Sequence, residues 1–386
     1  MTPSLDSKLP RVGTTIFSVM SQLAVEHDAV NLGQGFPDFE PPAALTEALS
    51  RAMADGHNQY PPGIGLAALR EQIAIKTEAL YGRPTDPAAE VTVTSGATEA
   101  IFAAIAAVVR AHDEVIVLDP AYDCYQPAIE LQNARAVRVP LQRPGFTVDW
   151  QRVADAITAR TRLIIINSPH NPTGAVFGPD DLTALAEVLR GTGVWVLSDE
   201  VYEHMVFDGA AHQSVGRVPE LAARSFIVSS FGKTFHCTGW KVGYCIAPPA
   251  LTVEFRKVHQ YLTFATFAPA QWAFATILCD EPHHYRDLSG FYQAKRDGFR
   301  RLLADTPLQL LDVPGGYFQL VDYSAVRDMD DVAFSQWLVR VAGVATVPLS
   351  PFYDDPPATR LVRLCFAKNE ATLTEGARRL TTLAGD

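Results

Sequence analysis

Cysteine is scarce in this 386-residue chain: Cys124, Cys237, Cys245, Cys279 and Cys365 are odd in number, scattered, and never closer than eight residues. That spacing fits neither a disulfide framework nor a zinc site, so no metal is expected and a reducing, cytoplasmic home is predicted. Positive charge is also short. Thirty-two Lys and Arg stand against 43 Asp and Glu, a net charge of −11, with no basic tract, so a nucleic acid is not an expected partner. Charged residues make up 19% and hydrophobic residues 48%, with 25 Gly and 27 Pro spread along the chain, which excludes disorder, collagen-like repeats and coiled coil. Met1 to Met20 lacks the apolar run of a signal peptide. One uncharged segment, Val258 to Cys279, has the 22 residues that a bilayer would require. His259, Gln260, Thr263, Thr266, Pro269, Gln271 and Thr276 interrupt its apolar surface, so it is read as a buried helix with a kink or an approach loop, not as a membrane span.

What is present is alternation. The length suggests two or three folding units, and between about residue 91 and residue 247 β-branched runs alternate with helical stretches, the pattern of an α/β fold whose mostly parallel sheet is covered on both faces. Seven strands are expected: Val91 to Ser95, Val115 to Asp119, Ala136 to Pro140, Leu163 to Asn167, Val194 to Ser198, Phe226 to Ser230 and Val242 to Ala247. Leu163-Ile164-Ile165-Ile166 is apolar on both faces, as a strand between two helical layers requires. Beyond this block, an amphipathic stretch from His283 to Leu303, strand-like runs at Gly316 to Val321 and Arg360 to Phe366, and a helix at Asp331 to Ala342 predict a smaller α+β domain. The first 45 residues show little periodicity and are expected to drape over the rest.

In open α/β sheets ligands sit beyond the carboxyl ends of the strands, and four groups of polar residues fall there. Ser95-Gly96-Ala97-Thr98 joins a strand to a helix, where free N–H groups and the helix dipole favour an anion; an ordinary capped helix start is the plain alternative. Asn167-Ser168-Pro169-His170-Asn171-Pro172-Thr173-Gly174 makes a rigid turn. Ser198-Asp199-Glu200-Val201-Tyr202 lodges a carboxylate at a buried strand end, which requires a partner. Ser229-Ser230-Phe231-Gly232-Lys233-Thr234 puts a lysine after an apolar strand, with Lys241 eight residues on; partial burial there would lower its pKa toward a nucleophilic amine.

A phosphate cradle, a buried acid, a tyrosine and a lysine at successive strand ends are the parts of a pyridoxal-phosphate site. From about Asn31 to Lys368 the chain resembles the class I aminotransferases of pyridoxal-phosphate fold type I, and within them the branch of the methionine and kynurenine aminotransferases and glutamine transaminase K. The resemblance runs through Asn31-Leu32-Gly33-Gln34-Gly35-Phe36-Pro37, Tyr60-Pro61-Pro62-Gly63-Ile64-Gly65, Asn171-Pro172-Thr173-Gly174, Asp199-Glu200-Val201-Tyr202, Ser230-Phe231-Gly232-Lys233-Thr234 and Arg363-Leu364-Cys365-Phe366. It implies a segment 1–45 packing with the small domain, a large pyridoxal-phosphate-binding domain over 46–284 and a small domain over 285–386. Pyridoxal 5′-phosphate is the implied cofactor. Lys233 would bond it and shuttle the substrate Cα proton, Asp199 would pair with its ring nitrogen, and Tyr202 and Asn171 would reach its ring oxygen. Gly96, Ala97, Thr98, Ser230 and Lys241, with Tyr60 from a second copy in a homodimer, would hold the phosphate, and Tyr122 would stack on the ring.

The substrate α-carboxylate requires a planar bidentate donor, and Arg363 is the expected one, completed by Asn171 and the Gly35 N–H. Arg360, three residues earlier, would face the other way, as a surface charge. The resemblance implies that an arginine for a second substrate carboxylate would come from the stretch Tyr261 to Phe267, which carries none, so Phe36, Tyr60, Tyr122, Phe264, Phe267 and Ile16 are expected to form an apolar side-chain pocket. Methionine, aromatic and other large apolar amino acids are then the expected donors, and a 2-oxo acid the acceptor. Kynurenine or glutamine transamination and carbon–sulfur β-elimination are the alternatives on the same scaffold. A transcriptional sensor built on such a domain would carry a DNA-binding module before it, for which the residues before Asn31 leave no room.

Overall fold

A computed structural model describes residues 5–383. A short strand β1 (Val30–Asn31) precedes the central sheet, which is built from β2 (Val91–Thr94), β3 (Glu114–Asp119), β4 (Arg135–Pro140), β5 (Thr161–Asn167), β6 (Trp195–Asp199), β7 (Ser225–Ser230) and β8 (Gly243–Ile246). All seven expected strands are present, each within two residues of its expected ends. Their order is β2-β8-β7-β6-β5-β3-β4. The pairs from β4 through β7 are parallel, whereas β8 runs antiparallel to both its neighbours. The reason is the connection: between β7 and β8 lie only the one-turn helix Phe231–Thr234 and a single 3-10 turn, Thr238–Trp240, too short for a crossover, so the chain turns back on itself.

The two-faced strand is seen at β5. Ile164 and Ile166 pack with Leu182 and Leu185 of the helix Pro179–Leu189, while Leu163 and Ile165 pack with Ile101 and Ile105 of the helix Ala97–Val108. Alternate side chains thus enter opposite cores.

A second sheet follows the long helix His283–Leu302: β9 (Gln309–Leu310), β10 (Phe318–Asp322), β12 (Val347–Pro348) and β13 (Leu361–Cys365), ordered β12-β13-β10-β9 and antiparallel throughout, with β11 (Val344–Ala345) pairing in parallel with β1 instead. The helices Asp331–Ala342 and Glu370–Leu380 pack around it.

Two segments refine the reading of the sequence. The uncharged stretch from Val258 is divided between the helices Pro249–Leu262 and Ala268–Asp280, separated by a loop, and no helix among the described residues is long and apolar enough to cross a membrane. The first 45 residues contain a helix, Ile16–Glu26, capped by the Thr15 hydroxyl and burying Met20 and Ala24 against Val339 and Ala345. With two fully buried positions in three turns, its apolar stripe is too narrow to stand out as a period.

Candidate active site

The site is assembled at the carboxyl ends of the central strands. After β2, Gly96 takes φ +81° and lets Lys241 approach: a Cβ at Gly96 would stand 3.1 Å from Lys241 Nζ. This leaves the unpaired N–H groups of Ala97 and Thr98 at the start of a twelve-residue helix, beside a lysine, a natural anion seat.

After β5, Asn167 ties two strand ends together. Its Nδ2 donates to Asp199 O at 2.8 Å and its Oδ1 accepts from Asn171 N at 2.8 Å, which fixes Asn171 in place. After β6, Asp199 is buried and accepts from Tyr125 Oη at 2.6 Å and from Val201 N at 3.3 Å. It has no ion pair among the described residues, and burial pushes its carboxyl up to about 6 in spite of those two donors. Tyr202, also buried, meets Tyr317 edge to face at 5.0 Å.

After β7, Lys233 donates to Tyr317 Oη at 2.7 Å and to Gly35 O at 3.1 Å. Burial lowers its amine to about 8. On β13, Arg363 is buried, with Nη1 donating to Asn171 Oδ1 at 2.6 Å and Nη2 to Gly33 O at 3.0 Å. Its guanidinium lies 3.8 Å from the Phe318 ring centroid, and its Nε is buried without a partner. Arg360, just before β13, is partly exposed and paired with Asp328 and the Met329 carbonyl.

One cavity of about 270 Å³ collects Gly35, Ala97, Thr98, Tyr122, Asn171, Asp199, Tyr202, Ser230, Lys233, Lys241 and Arg363. An anion seat at one end, an arginine clamp, and a lysine and a carboxylate of shifted pKa make a site able to take an anionic group at each end with a titratable amine between them.

Comparison with known proteins agrees with this geometry. Residues 27–380 match the family model described as aminotransferase class I and II. The chain belongs to the class I and II aminotransferases. It is 53% identical over 377 residues to methionine aminotransferase of Escherichia coli K12, covering 98% of each chain, and an Escherichia coli crystal structure reported with methionine aminotransferase function superposes with a TM-score of 0.97 over 99% of this chain and 100% of that one. N-Succinyldiaminopimelate aminotransferase of Mycobacterium tuberculosis is 41% identical, with a TM-score of 0.95 over 99% of this chain and 100% of the other. Human kynurenine–oxoglutarate transaminase 1 is 35% identical over 386 residues, 91% of this chain and 92% of that one.

In this aminotransferase the aromatic residues are distributed differently from the reading of the sequence. Tyr60 is 82% exposed and lies against Phe264, itself half exposed, while Phe267 is also on the surface. Phe36 is 44% exposed, with Lys368 Nζ over its ring. None of these lines the cavity in a single chain; the apolar wall is made by Phe17, Ile101, Val201 and Phe318 with Tyr122. Ile16 and Phe17 are both half-buried against the hydrophobic core, but of the two only Phe17, one position and about 100° further round the helix, lines the cavity. Gly96 lies behind Lys241 and not in the wall. Tyr125, Tyr317, Gln34 and Asn167 are site residues that motif reading missed. For Tyr125 there was a signal, since it follows Tyr122 by one helical turn; for Tyr317, buried behind the lysine, there was none.

Proposed function

We propose that this chain is a pyridoxal-phosphate-dependent aminotransferase that takes the amino group from methionine and other large apolar or aromatic amino acids and passes it to a 2-oxo acid in a ping-pong sequence. The observation that carries the reading is one small cavity walled by a half-buried lysine of lowered pKa, a buried carboxylate with no ion pair, and a buried arginine with an unused N–H.

The residues present fit the cofactor. Asp199 is a buried carboxylate raised to about 6 for want of a positive partner, which a protonated ring nitrogen would supply. Ala97, Thr98, Ser230 and Lys241 would hold the phosphate, Tyr122 would lie on the ring, and Asn171 and Tyr202 would reach its oxygen. When bound, pyridoxal phosphate supplies the electron sink that makes loss of the substrate Cα proton possible. Lys233, with a pKa of about 8, has a useful neutral fraction near neutral pH, so it can accept that proton and return it. Arg363 would take the α-carboxylate as a planar fork, its plane already held by Asn171, Gly33 and Phe318.

The substrate class follows from the wall. Arg363 is the only arginine among the cavity residues, so a second carboxylate on the substrate would be buried unpaired, a cost of several kcal/mol, while a methionine side chain would gain roughly 1.5–3 kcal/mol on burial. The name of the Escherichia coli relative supports methionine, and the human relative supports kynurenine as a secondary donor. The exposed aromatics Tyr60, Tyr261, Phe264 and Phe267 support a homodimer in which a second copy covers this patch and Tyr60 reaches the partner's phosphate seat. Segment 1–45, a large unit to about 284 and a small unit beyond it are the proposed divisions. Five free thiols, three of them buried, support a cytoplasmic location.

The test is a half-reaction screen of the purified holoenzyme against all amino acids, read by the change in cofactor absorption. Methionine and aromatic amino acids should react at least about tenfold faster than aspartate. Aspartate reacting as fast as methionine would refute the substrate class, and release of pyruvate and ammonia from a cysteine conjugate would move the protein to β-elimination.

A further inference from the structure

The amine of Lys233 does not hang free in the cavity. It donates to Tyr317 Oη at 2.7 Å and to Gly35 O at 3.1 Å, and the Tyr317 hydroxyl donates to the same Gly35 carbonyl, closing a triangle of hydrogen bonds. Tyr317 is fully buried and stands behind the lysine, outside the cavity wall. Its ring is wedged between Tyr202 at 5.0 Å, Phe318 at 4.7 Å and Tyr292 at 5.8 Å. Packing alone does not account for its hydroxyl: in the same cluster Tyr292 buries an Oη that has no partner.

We propose that Tyr317 is a positioning residue for the proton transfer, holding the unbonded amine of Lys233 in place and setting how readily it takes up a proton. This rests on the reading of Lys233 as the lysine that bonds the cofactor and moves the substrate proton. A phenolic oxygen suits both states of the amine. It accepts from the ammonium, as in the geometry described, and once the amine is neutral its O–H can turn from the Gly35 carbonyl to the nitrogen lone pair. The carbonyl of Gly35 can only accept, so by itself it would serve the ammonium alone.

The charged and titratable groups that bear on Nζ come from three places, β13, the end of β6 and the approach to β8. Burial is the largest influence and lowers the amine; Cys365 and Asp199 act against it, Arg363 and Lys241 with it. The Tyr202 ring lies 5.6 Å away. Among the described residues, Tyr317 is the one side chain hydrogen-bonded to Nζ. Removing its oxygen takes an acceptor from a half-buried ammonium, so Tyr317→Phe should lower the pKa of Lys233 further.

The experiment uses the full-length, cofactor-free chain mixed with pyridoxal phosphate. Capture by Lys233, in which the neutral amine adds to the aldehyde carbon and water leaves, is followed by absorbance from about pH 6 to about pH 10. Borohydride reduction and peptide mapping identify the lysine. In the wild type the rate should rise through a midpoint near 8. In Tyr317→Phe, one oxygen smaller and checked as folded by its melting curve, the midpoint should move down by about half a unit to one unit. In the holoenzyme kcat for methionine should fall roughly tenfold while KM stays within about twofold. Tyr292→Phe, which removes a hydroxyl from the same aromatic cluster, should leave the midpoint where it is. An unmoved midpoint in Tyr317→Phe, or equal shifts in both variants, would overturn the proposal and reduce Tyr317 to packing. Label on a lysine other than Lys233 in the wild type would overturn the underlying reading instead.

Discussion

Asp199 and Glu203 lie four residues apart at the end of the same strand, both buried, and the protein surrounds them in opposite ways. Burial pushes the Glu203 carboxyl up, but Lys76, His204 and Ser229 outweigh that and hold it well below the usual carboxylate range. Lys76 Nζ stands 2.7 Å from it, Tyr244 Oη 3.0 Å, and Tyr81 and Ser229 also donate. Asp199 receives two hydrogen bonds but no ion pair, only the more distant influence of Lys233, and burial leaves it at about 6. The first carboxylate is complete within the fold and pins the helix Ala67–Tyr81 to the sheet. The second is complete only when something positive enters the cavity. A buried charge whose partners are all present belongs to the architecture; one whose partner is missing marks the place of a ligand.

This contrast breaks most strongly at Lys76. Lys76→Met leaves Glu203 buried without its cation and should cost about 3–5 kcal/mol in urea unfolding, with kcat of the folded fraction little changed. A loss below about 1 kcal/mol would mean that Glu203 simply takes up a proton.

Arg363→Lys comes next. A point-charge ammonium cannot reproduce two parallel hydrogen bonds, and charge-assisted bonds are worth about 1.5–3 kcal/mol, so KM should rise roughly tenfold to hundredfold by the same factor for every amino acid. Steady-state kinetics with methionine, phenylalanine and leucine check it. Unequal factors would show that this arginine reads the side chain.

Asp199→Asn sharpens the comparison through pH. The carboxyl titrates at about 6 in the folded chain against 3.8 ordinarily, so the folded chain binds more protons than the unfolded one between those values. Wild-type stability without cofactor should therefore fall as pH rises through that window and stay lowered above it. The asparagine variant should be more stable by about 1–3 kcal/mol at pH 8 and no more stable at pH 4, while binding pyridoxal phosphate far more weakly. Urea curves at the two pH values decide it; a variant less stable at pH 8 would show that Asp199 is already satisfied.

The smallest effect belongs to Arg360. Its pair with the largely exposed Asp328 is worth at most about 1 kcal/mol, so Arg360→Ala should leave every KM unchanged, in contrast to its neighbour Arg363.

The central sheet was legible because its strands are short runs, mostly apolar and several of them β-branched, separated by helical stretches and turn chemistry, and in β5 the run is apolar on both faces. The pairing of β1 with β11 was not legible, since two-residue strands carry no period and owe their place to distant contacts. Within the site, Lys233, Asp199, Asn171 and Arg363 could be found because they follow strands or lie on one. Tyr317 could not, because its work is a hydrogen bond to a side chain 84 residues away, and for Tyr125, whose partner is 74 residues away, the one signal was its spacing from Tyr122. Tyr60, Phe264 and Phe267 were recognised as aromatic, but aromatic character does not say whether a ring faces its own cavity or the surface of its own chain.

The bond from Arg363 to the carbonyl of Gly33 joins residues 330 positions apart. At the usual pace of synthesis, about 5–20 residues per second, the Gly33 loop waits roughly 15 to 65 seconds for the arginine that braces it. All of the strand ends from Gly96 to Lys241 have by then been made. The half of the cavity that would face the cofactor is therefore born well before the half that would grip a substrate, and a chain cut short between Lys241 and β13 keeps its lysine and loses its clamp.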